Sequence, residues 1–434
     1  MSTTSSPTPM FCYQCEQTTH GIGCEQVGVC GKTPTTAALQ DLLVHRLKGL
    51  ASWAVYAKDT SSIDIQPAGH LFRAAIFSTL TNVNFDAPRF VERLADVDAM
   101  TADLRGRVQA AGAPPLSASP VAWFPGGVHP VDEQTPTEGV PQADLVRAGR
   151  VVGVDARSRL SGDPTLVGLH ELVTYGVKGA AAYAHHAAVG GCEETDATEE
   201  LLRAMAFLCT PDAADAGAVL ERALAVGAAN LTIMAALERA HTSAFGHPSP
   251  AQVRMGPREG KALLVSGHDL TDLMAVLQQT EGTGIKVYTH GELLPAHGYP
   301  ELRRHAHLAG HYGGAWYRQK GDFARFPGAI LMTTNCVLEP PKGTYAANLF
   351  TTGETGVPGV THVGEKAFAP VIARALELPG FTAADEAEGD AARPHLVGFG
   401  REATLGAAPA VLDAIGKGQL QRIFLIGGCD GSEG

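Results

Sequence analysis

Apolar positions between residues 34 and 246 recur at helical spacing. In TPTTAALQDLLVHRLKGLASWAVYAK, Leu39, Leu43, Leu47 and Leu50 follow one another at steps of four, four and three. One face of a 3.6-residue period explains such a stripe, with Thr33 as N-cap and Pro34 as first helical residue. DAPRFVERLADVDAMTADLRGRV repeats the pattern, with Asp86 as the cap and Phe90, Leu94, Val97, Met100 and Leu104 as the stripe. Further helices are expected through LHELVTYGVKGAAAYAHHAA and, from Thr210, through TPDAADAGAVLERALAV. A Pro- and Gly-rich loop falls between residues 113 and 143. These stripes are read as core.

The pattern changes at GHPSPAQVRMGPREG, where residues 246–260 read as a linker. Beyond it, short apolar runs alternate with helical stretches: KALLVSG, IKVYTHG, GAILMTTN and RIFLIGG. Such alternation predicts an α/β region with a parallel sheet. The expected architecture is multi-domain: an all-α N-terminal domain followed by Rossmann-like α/β domains. Its parts are a disordered extension over 1–9, a helical domain over 10–250, an α/β domain over 260–395 and the start of a second one over 396–434.

Composition adds little to that picture. The chain is 45% hydrophobic and 18% charged, with a formal net charge of −12. The charge is spread rather than gathered, and no basic stripe suggests a nucleic-acid partner. No apolar run is read as long enough for a membrane span. The polar start MSTTSSPTPM carries no secretory signal, so a cytoplasmic location is expected. Eight cysteines in such a chain point to metal binding or catalysis before disulfides.

Each predicted strand ends at a potential ligand. LLVSGHD ends at His268, KVYTHGE at His290 and Glu292, AILMTTNC at Cys336 and IFLIGGC at Cys429. In open α/β sheets, sites form beyond the carboxyl ends of strands. One His, one Glu and two Cys make a mixed soft and hard set, suited to iron with sulfur and oxygen ligation. Each residue also has a plainer reading, the histidine as a turn or cap and the cysteines as small buried hydrophobes.

At the other end, CYQCEQTTHGIGCEQVGVC places Cys12, Cys15, Cys24 and Cys30 within a 19-residue stretch. Four thiolates spaced in this way suit one tetrahedral iron or zinc ion, or one cubane cluster. Without a second C-x2-C knuckle the pattern favours a cluster over a zinc ribbon. Gly21, Gly23, Gly28 and Gly31 would let backbone N–H groups approach the sulfurs, and His20 is not counted as a ligand.

These segments, together with YGVKGAAAYAHHA, QTEGTGIKVYTHGELLPAHGYPEL, GHYGGAWYRQK, FTTGETGVPGVTHV and FLIGGCDG, resemble the hybrid cluster proteins, also called prismane proteins or hydroxylamine reductases. The resemblance covers residues 10–431. It implies a helical first domain and two Rossmann-like domains. It also implies a [4Fe-4S] cluster on Cys12, Cys15, Cys24 and Cys30, serving as an electron relay. A hybrid [4Fe-2O-2S] cluster would be held by His268, Glu292, Cys336 and Cys429, with Cys429 matching the cysteine that carries a persulfide. His268, Glu292 and Cys429 would be the catalytic residues. The implied activity is reduction of hydroxylamine to ammonia and water, with nitric oxide reduction attributed to relatives. The substrate would be a small nitrogen oxide and the electrons would come from an external donor protein. Nickel–iron carbon monoxide dehydrogenases are more distant relatives, and THGE argues against their activity.

After Gly431 the sequence departs from the family pattern. The resemblance would place two more cysteines, another glutamate and a lysine beyond this point. The chain is therefore expected to be truncated at its C-terminus. The alternative reading is a non-catalytic remnant that holds only the N-terminal cluster. Cys192 and Cys209 match no family ligand and are read as structural.

Overall fold

A computed structural model of the protein describes residues 9–116, 123–124, 127–128, 139–390 and 392–425. Cys429, the expected extension over 1–9 except Pro9, and most of the predicted 113–143 loop lie outside these residues. The chain divides into two compact units, Met1–Glu238 and Arg239–Gly434.

The first unit is helical. Its long helix α1 (Pro34–Ser61) starts where Thr33 accepts a 3.2 Å hydrogen bond from the Thr36 amide. That bond satisfies one of the orphan donors of the first turn. Leu39, Leu43, Leu47 and Leu50 are fully buried, as their spacing predicts. Helices α2 (Gln66–Ser78) and α3 (Ala87–Ala110) follow. Asp86 stands at the cap position of α3, but its side chain makes no capping bond. Instead Asn84 Oδ1 accepts from the Asp86 amide at 2.8 Å. Met100 is only partly buried, whereas the other four stripe residues are buried.

A two-strand ribbon, β1 (Trp123–Phe124) with β2 (Gly127–Val128), precedes α4 (Gln142–Val152), α5 (Val154–Ser161) and α6 (Pro164–Val189). Asp163 caps α6 by accepting from the Leu166 amide at 3.0 Å. Then come α7 (Thr195–Phe207) and α8 (Ala216–Phe245). The helix expected from Thr210 is interrupted: residues 211–214 form a 3-10 turn and Asp215 breaks it from α8. By length and composition α8 is apolar enough to cross a membrane, contrary to the sequence expectation, and only 17% of its most apolar window is buried. Its core-facing side includes Val219, Val226 and Ile233, while Leu224 and Leu231 stand outward.

The second unit begins with β3 (Ala251–Val253), inside the predicted linker. Next come β4 (Ala262–Ser266), α9 (Leu270–Thr280), β5 (Lys286–His290), α10 (Pro300–Arg303), β6 (Leu308–His311), α11 (Gln319–Arg325) and β7 (Ala329–Met332). The order continues with β8 (Leu349–Thr351), β9 (Thr361–His362), α12 (Ala369–Glu377), α13 (Ala383–Asp390), β10 (His395–Val397) and α14 (Arg401–Gly416). Six strands form one parallel sheet in the order β6-β5-β4-β7-β8-β9. This is the doubly wound order, with the chain leaving β4 in one direction and returning on its other side at β7. Strands β4 and β7 are buried along their whole lengths, as parallel strands covered on both faces must be. Strand β3 pairs with β10 outside this sheet, antiparallel.

The predicted strand RIFLIGG is not formed over its described part. Residues 422–425 have no regular structure, and Ile423, Phe424 and Leu425 are 72%, 77% and 97% exposed. A strand exists through its neighbours' hydrogen bonds, and no described strand lies beside this segment.

Candidate metal centres

The N-terminal cysteines occupy a tight irregular segment. Cys12 and Cys24 pair as an isolated antiparallel bridge: Cys12 N–H donates to the Cys24 carbonyl at 3.1 Å and the reverse bond is 2.8 Å. This tie brings the two ends of C-x2-C-x8-C together before the chain reaches Cys30. None of the four thiols is in a disulfide. Lys32 Nζ stands 3.8 Å from Cys12 Sγ, and Thr19 donates toward Cys24 Sγ at 3.6 Å. A β-carbon on Gly28 would come 3.0 Å from Cys30 Sγ, so glycine lets the backbone lie close to the sulfur without displacing it. Gly21 has nothing near it, and Gly23 meets the Phe11 ring, so of these three only Gly28 shows the close approach. His20 is exposed in a left-handed conformation.

The thiols feel one another. Burial pushes Cys15 up, the Gln17 amide partly offsets this, and the charges of Cys30, Cys12 and Cys24 add to the rise. Burial also raises Cys30, against the pull of Lys32. At Cys24 burial is outweighed by hydrogen bonds from Thr19 and Val29 and by the Lys32 charge, so its thiol is lowered. Among the described residues, no three His, Cys, Asp or Glu side chains stand close enough to hold a single metal ion. A cubane makes no such demand, because each thiolate binds its own iron corner. Four mutually coupled thiols beside a lysine and a glycine cradle therefore suit a cluster's donor set.

The second group sits at the switch point of the sheet. His268 follows β4 and Cys336 follows β7, the strands between which the winding direction reverses. Glu292 follows β5, next along. His268 Nε2 lies 4.0 Å from Glu292 Oε2, with side chains 32% and 39% exposed. Thr334, at the tip of β7, reaches across to His268. Its hydroxyl accepts the His268 backbone N–H at 2.8 Å and lies 3.0 Å from the ring Nδ1. That contact engages one ring nitrogen and leaves Nε2 directed at Glu292. Gly267 permits the approach: its φ is +111°, and a β-carbon there would meet the Thr333 and Thr334 hydroxyls at 2.5 and 2.7 Å.

Cys336 is buried and adopts a left-handed φ of +68°. Such a conformation costs of order 1–3 kcal/mol for a residue with a β-carbon, and it concentrates at functional sites. Gln319, fully buried, holds the turn in place. Its amide donates to the Cys336 carbonyl at 2.7 Å and its oxygen accepts the Leu338 N–H at 2.9 Å. His290 points inward, with Nδ1 2.9 Å from Ser266 Oγ and Nε2 3.7 Å from Asp322. The structure thus brings His268 and Glu292 together, ties His268 to the β7 tip, and puts Cys336 two residues beyond that tie. Thr334 and Gln319 carried no signal in the sequence, since a threonine and a glutamine gain meaning only from their cross-strand partners. Cys192 and Cys209 lie at helix ends, and Cys209 is buried.

Fold and donor chemistry together describe an α plus α/β protein with one thiol-rich segment, a His268–Glu292 pair at the sheet's switch point and Cys336 just past the Thr334 contact. Residues 10–434 match the Prismane/CO dehydrogenase family, and the chain belongs to that family. It is 45% identical to a protein named hydroxylamine reductase from Rhodospirillum rubrum and 48% identical to one from Burkholderia ambifaria. Both matches span 98% of this chain and 74% of the relative. Among solved structures, carbon monoxide dehydrogenase IV from Carboxydothermus hydrogenoformans matches 87% of this chain and 56% of its own length. That match has 13% identity and a TM-score of 0.35, a likeness that carries no argument.

Proposed function

We propose that the chain is an iron–sulfur oxidoreductase that reduces hydroxylamine. The observation that carries this reading is the similarity over 98% of the chain to proteins named for that reaction. The reaction breaks one N–O bond, takes up two electrons and two protons, and releases ammonia and water. In this reading Cys12, Cys15, Cys24 and Cys30 hold a [4Fe-4S] relay that receives electrons from a donor protein. His268, Glu292, Cys336 and Cys429 contribute to a hybrid iron–sulfur–oxygen cluster. When bound, that cluster would supply Lewis-acid iron and stored electrons.

The residues of the chain perform the remaining tasks. Thr334 engages His268 Nδ1, which would leave Nε2 as the nitrogen that holds a metal when one is bound. Glu292 offers a hard oxygen donor 4.0 Å from that nitrogen, on a side chain that is 39% exposed. Gln319 fixes the turn that presents Cys336. The half-exposed His268 and Glu292 leave the site open to a substrate as small as hydroxylamine.

The test is oxidation of a reduced viologen by anaerobically prepared protein, with ammonia counted. The expected result is hydroxylamine-dependent turnover with one ammonia per two electrons, lowered at least about 100-fold in Glu292→Gln, in line with the loss of a ligand to a metal. Viologen oxidation without ammonia, or a Glu292→Gln variant as active as the parent, contradicts the proposal.

A further inference from the structure

Beneath the N-terminal segment lies a small cavity of about 40 Å³. Its walls carry unusual charge for a protein interior. Lys32, Lys48, Arg157 and Lys178 face Asp41 and Glu171 across it, four cations against two carboxylates. Lys32 and Lys178 are 3% and 4% exposed, and Lys48 and Glu171 are 9% and 5%.

Most of these charges are engaged. Arg157 donates to Glu171 at 2.6 Å. Lys32 lies against the Cys12 thiol. Lys178 donates to Gln14 at 3.2 Å, stacks over the Tyr175 ring and is the charge that acts most strongly on Asp41. Lys48 is the exception. It lines the cavity from α1, nine-tenths buried, and among the described residues its ammonium has no hydrogen-bond or ion-pair partner. The charges that act on it are those of Arg157 and Glu171, with the Cys209 thiol a smaller influence, and Cys12 lines the same cavity.

An ammonium buried without a partner costs several kcal/mol, and proteins avoid that cost by pairing or neutralising it. Glu171 is already committed to Arg157. A cavity of this size holds an ion little larger than water. We propose that this cavity is a binding site for a small monovalent inorganic anion, seated against the Lys48 ammonium and drawn by the surplus of cations around it. The site lies wholly within the first unit, and the inference does not depend on which metal the four cysteines hold. Burial brings Lys48 down to about 8, so it remains mainly protonated at neutral pH and able to receive the anion.

Bromide is the probe. With the full chain prepared anaerobically, sodium bromide is exchanged for sodium gluconate at constant ionic strength while the thermal midpoint is followed. Crystals grown in bromide are measured at the bromine absorption edge. The inference expects a saturable rise in the midpoint and an anomalous peak beside Lys48. Lys48→Met should weaken the bromide response at least tenfold, and in gluconate it should be no less stable than the parent, because it removes an unpaired buried charge. A response that never saturates, the absence of a peak at Lys48, or a full response in Lys48→Met overturns it. If Lys48→Met does not fold, the crystal measurement on the parent and the response of Lys48→Gln decide in the same way.

Discussion

At the residue scale, the candidates were legible because thiols, imidazoles and carboxylates announce their chemistry, and the places of His268, Glu292 and Cys336 just past strands follow from the strand pattern. Their supporting residues were not legible. Thr334 lies 66 positions from His268 in sequence and meets it only through the pairing of β4 with β7. Gln319 and Lys48 are similarly silent until the fold surrounds them. The Thr334 contact makes a specific prediction. Thr334→Val removes the partner of His268 Nδ1 while keeping the side-chain shape, so affinity for iron at the sheet site should fall roughly 10–100-fold, whereas Thr334→Ser should retain it. Competition with a chelator measures the difference, and equal iron retention in the two variants would refute a positioning role for Thr334.

Among elements, helices with strong stripes and buried parallel strands were readable, and short edge pieces were not. Strand β3 hides in a stretch rich in proline and glycine because only its pairing with β10 makes it a strand. RIFL looks like a strand by composition, yet its described residues have no neighbour to bond. Asp86 has the right chemistry for a cap, but local geometry gives the bonding to Asn84. Helix contacts also explain which glycines matter. A β-carbon on Gly149 of α4 would come 1.9 Å from the Ala38 carbonyl of α1, whereas one on Gly168 of α6 would meet nothing within 4 Å. Gly149→Ala should therefore force the two helices apart and destabilise the first unit by about 1–3 kcal/mol. Gly168→Ala, in an exposed helical position, should stabilise it by about 0.5–1 kcal/mol. Urea unfolding of both variants checks the contrast, and similar shifts in the two would show that helix packing is looser than the structure has it.

The parallel sheet carries a pH dependence of its own. Thr289 on β5 lies 2.8 Å from His297 Nε2 and 2.9 Å from His311 Nδ1. Burial lowers His297 to about 4, partly opposed by the Gly310 backbone. Burial, then the charges of His290, His297 and His395, lower His311 to about 3, with Asp322 opposing. In the unfolded chain both rings take up protons near pH 6.5. The unfolded state thus binds more protons as the pH drops from about 6.5 toward 4, so stability present above that window is lost within it. The urea midpoint of the second unit should fall between pH 7.5 and pH 5, and His297→Gln should flatten the fall. A parent and variant with the same slope would mean that these buried rings do not govern the acid limit.

On the scale of the whole molecule, two compact units each present one donor group: four thiols ahead of α1, and His268, Glu292 and Cys336 at the switch point of the parallel sheet. The general plan, helices first and a parallel α/β region after, could be read from the change of hydrophobic period near residue 246. The end of α8 at Phe245 falls where that period changes, whereas the division between the units, at Arg239, lies inside α8 and had no signal in the sequence. Family membership connects this plan to proteins named for hydroxylamine reduction. The account then makes one central claim: two iron–sulfur centres with separate ligand sets, one in each unit. Iron quantification on anaerobically prepared protein tests it most directly, comparing the parent with Cys15→Ser and His268→Ala. The account predicts that Cys15→Ser loses about four irons, the content of one cubane, while retaining the rest. His268→Ala should lose iron only from the remainder. Zinc in place of iron, or an iron content that neither substitution changes, would contradict it.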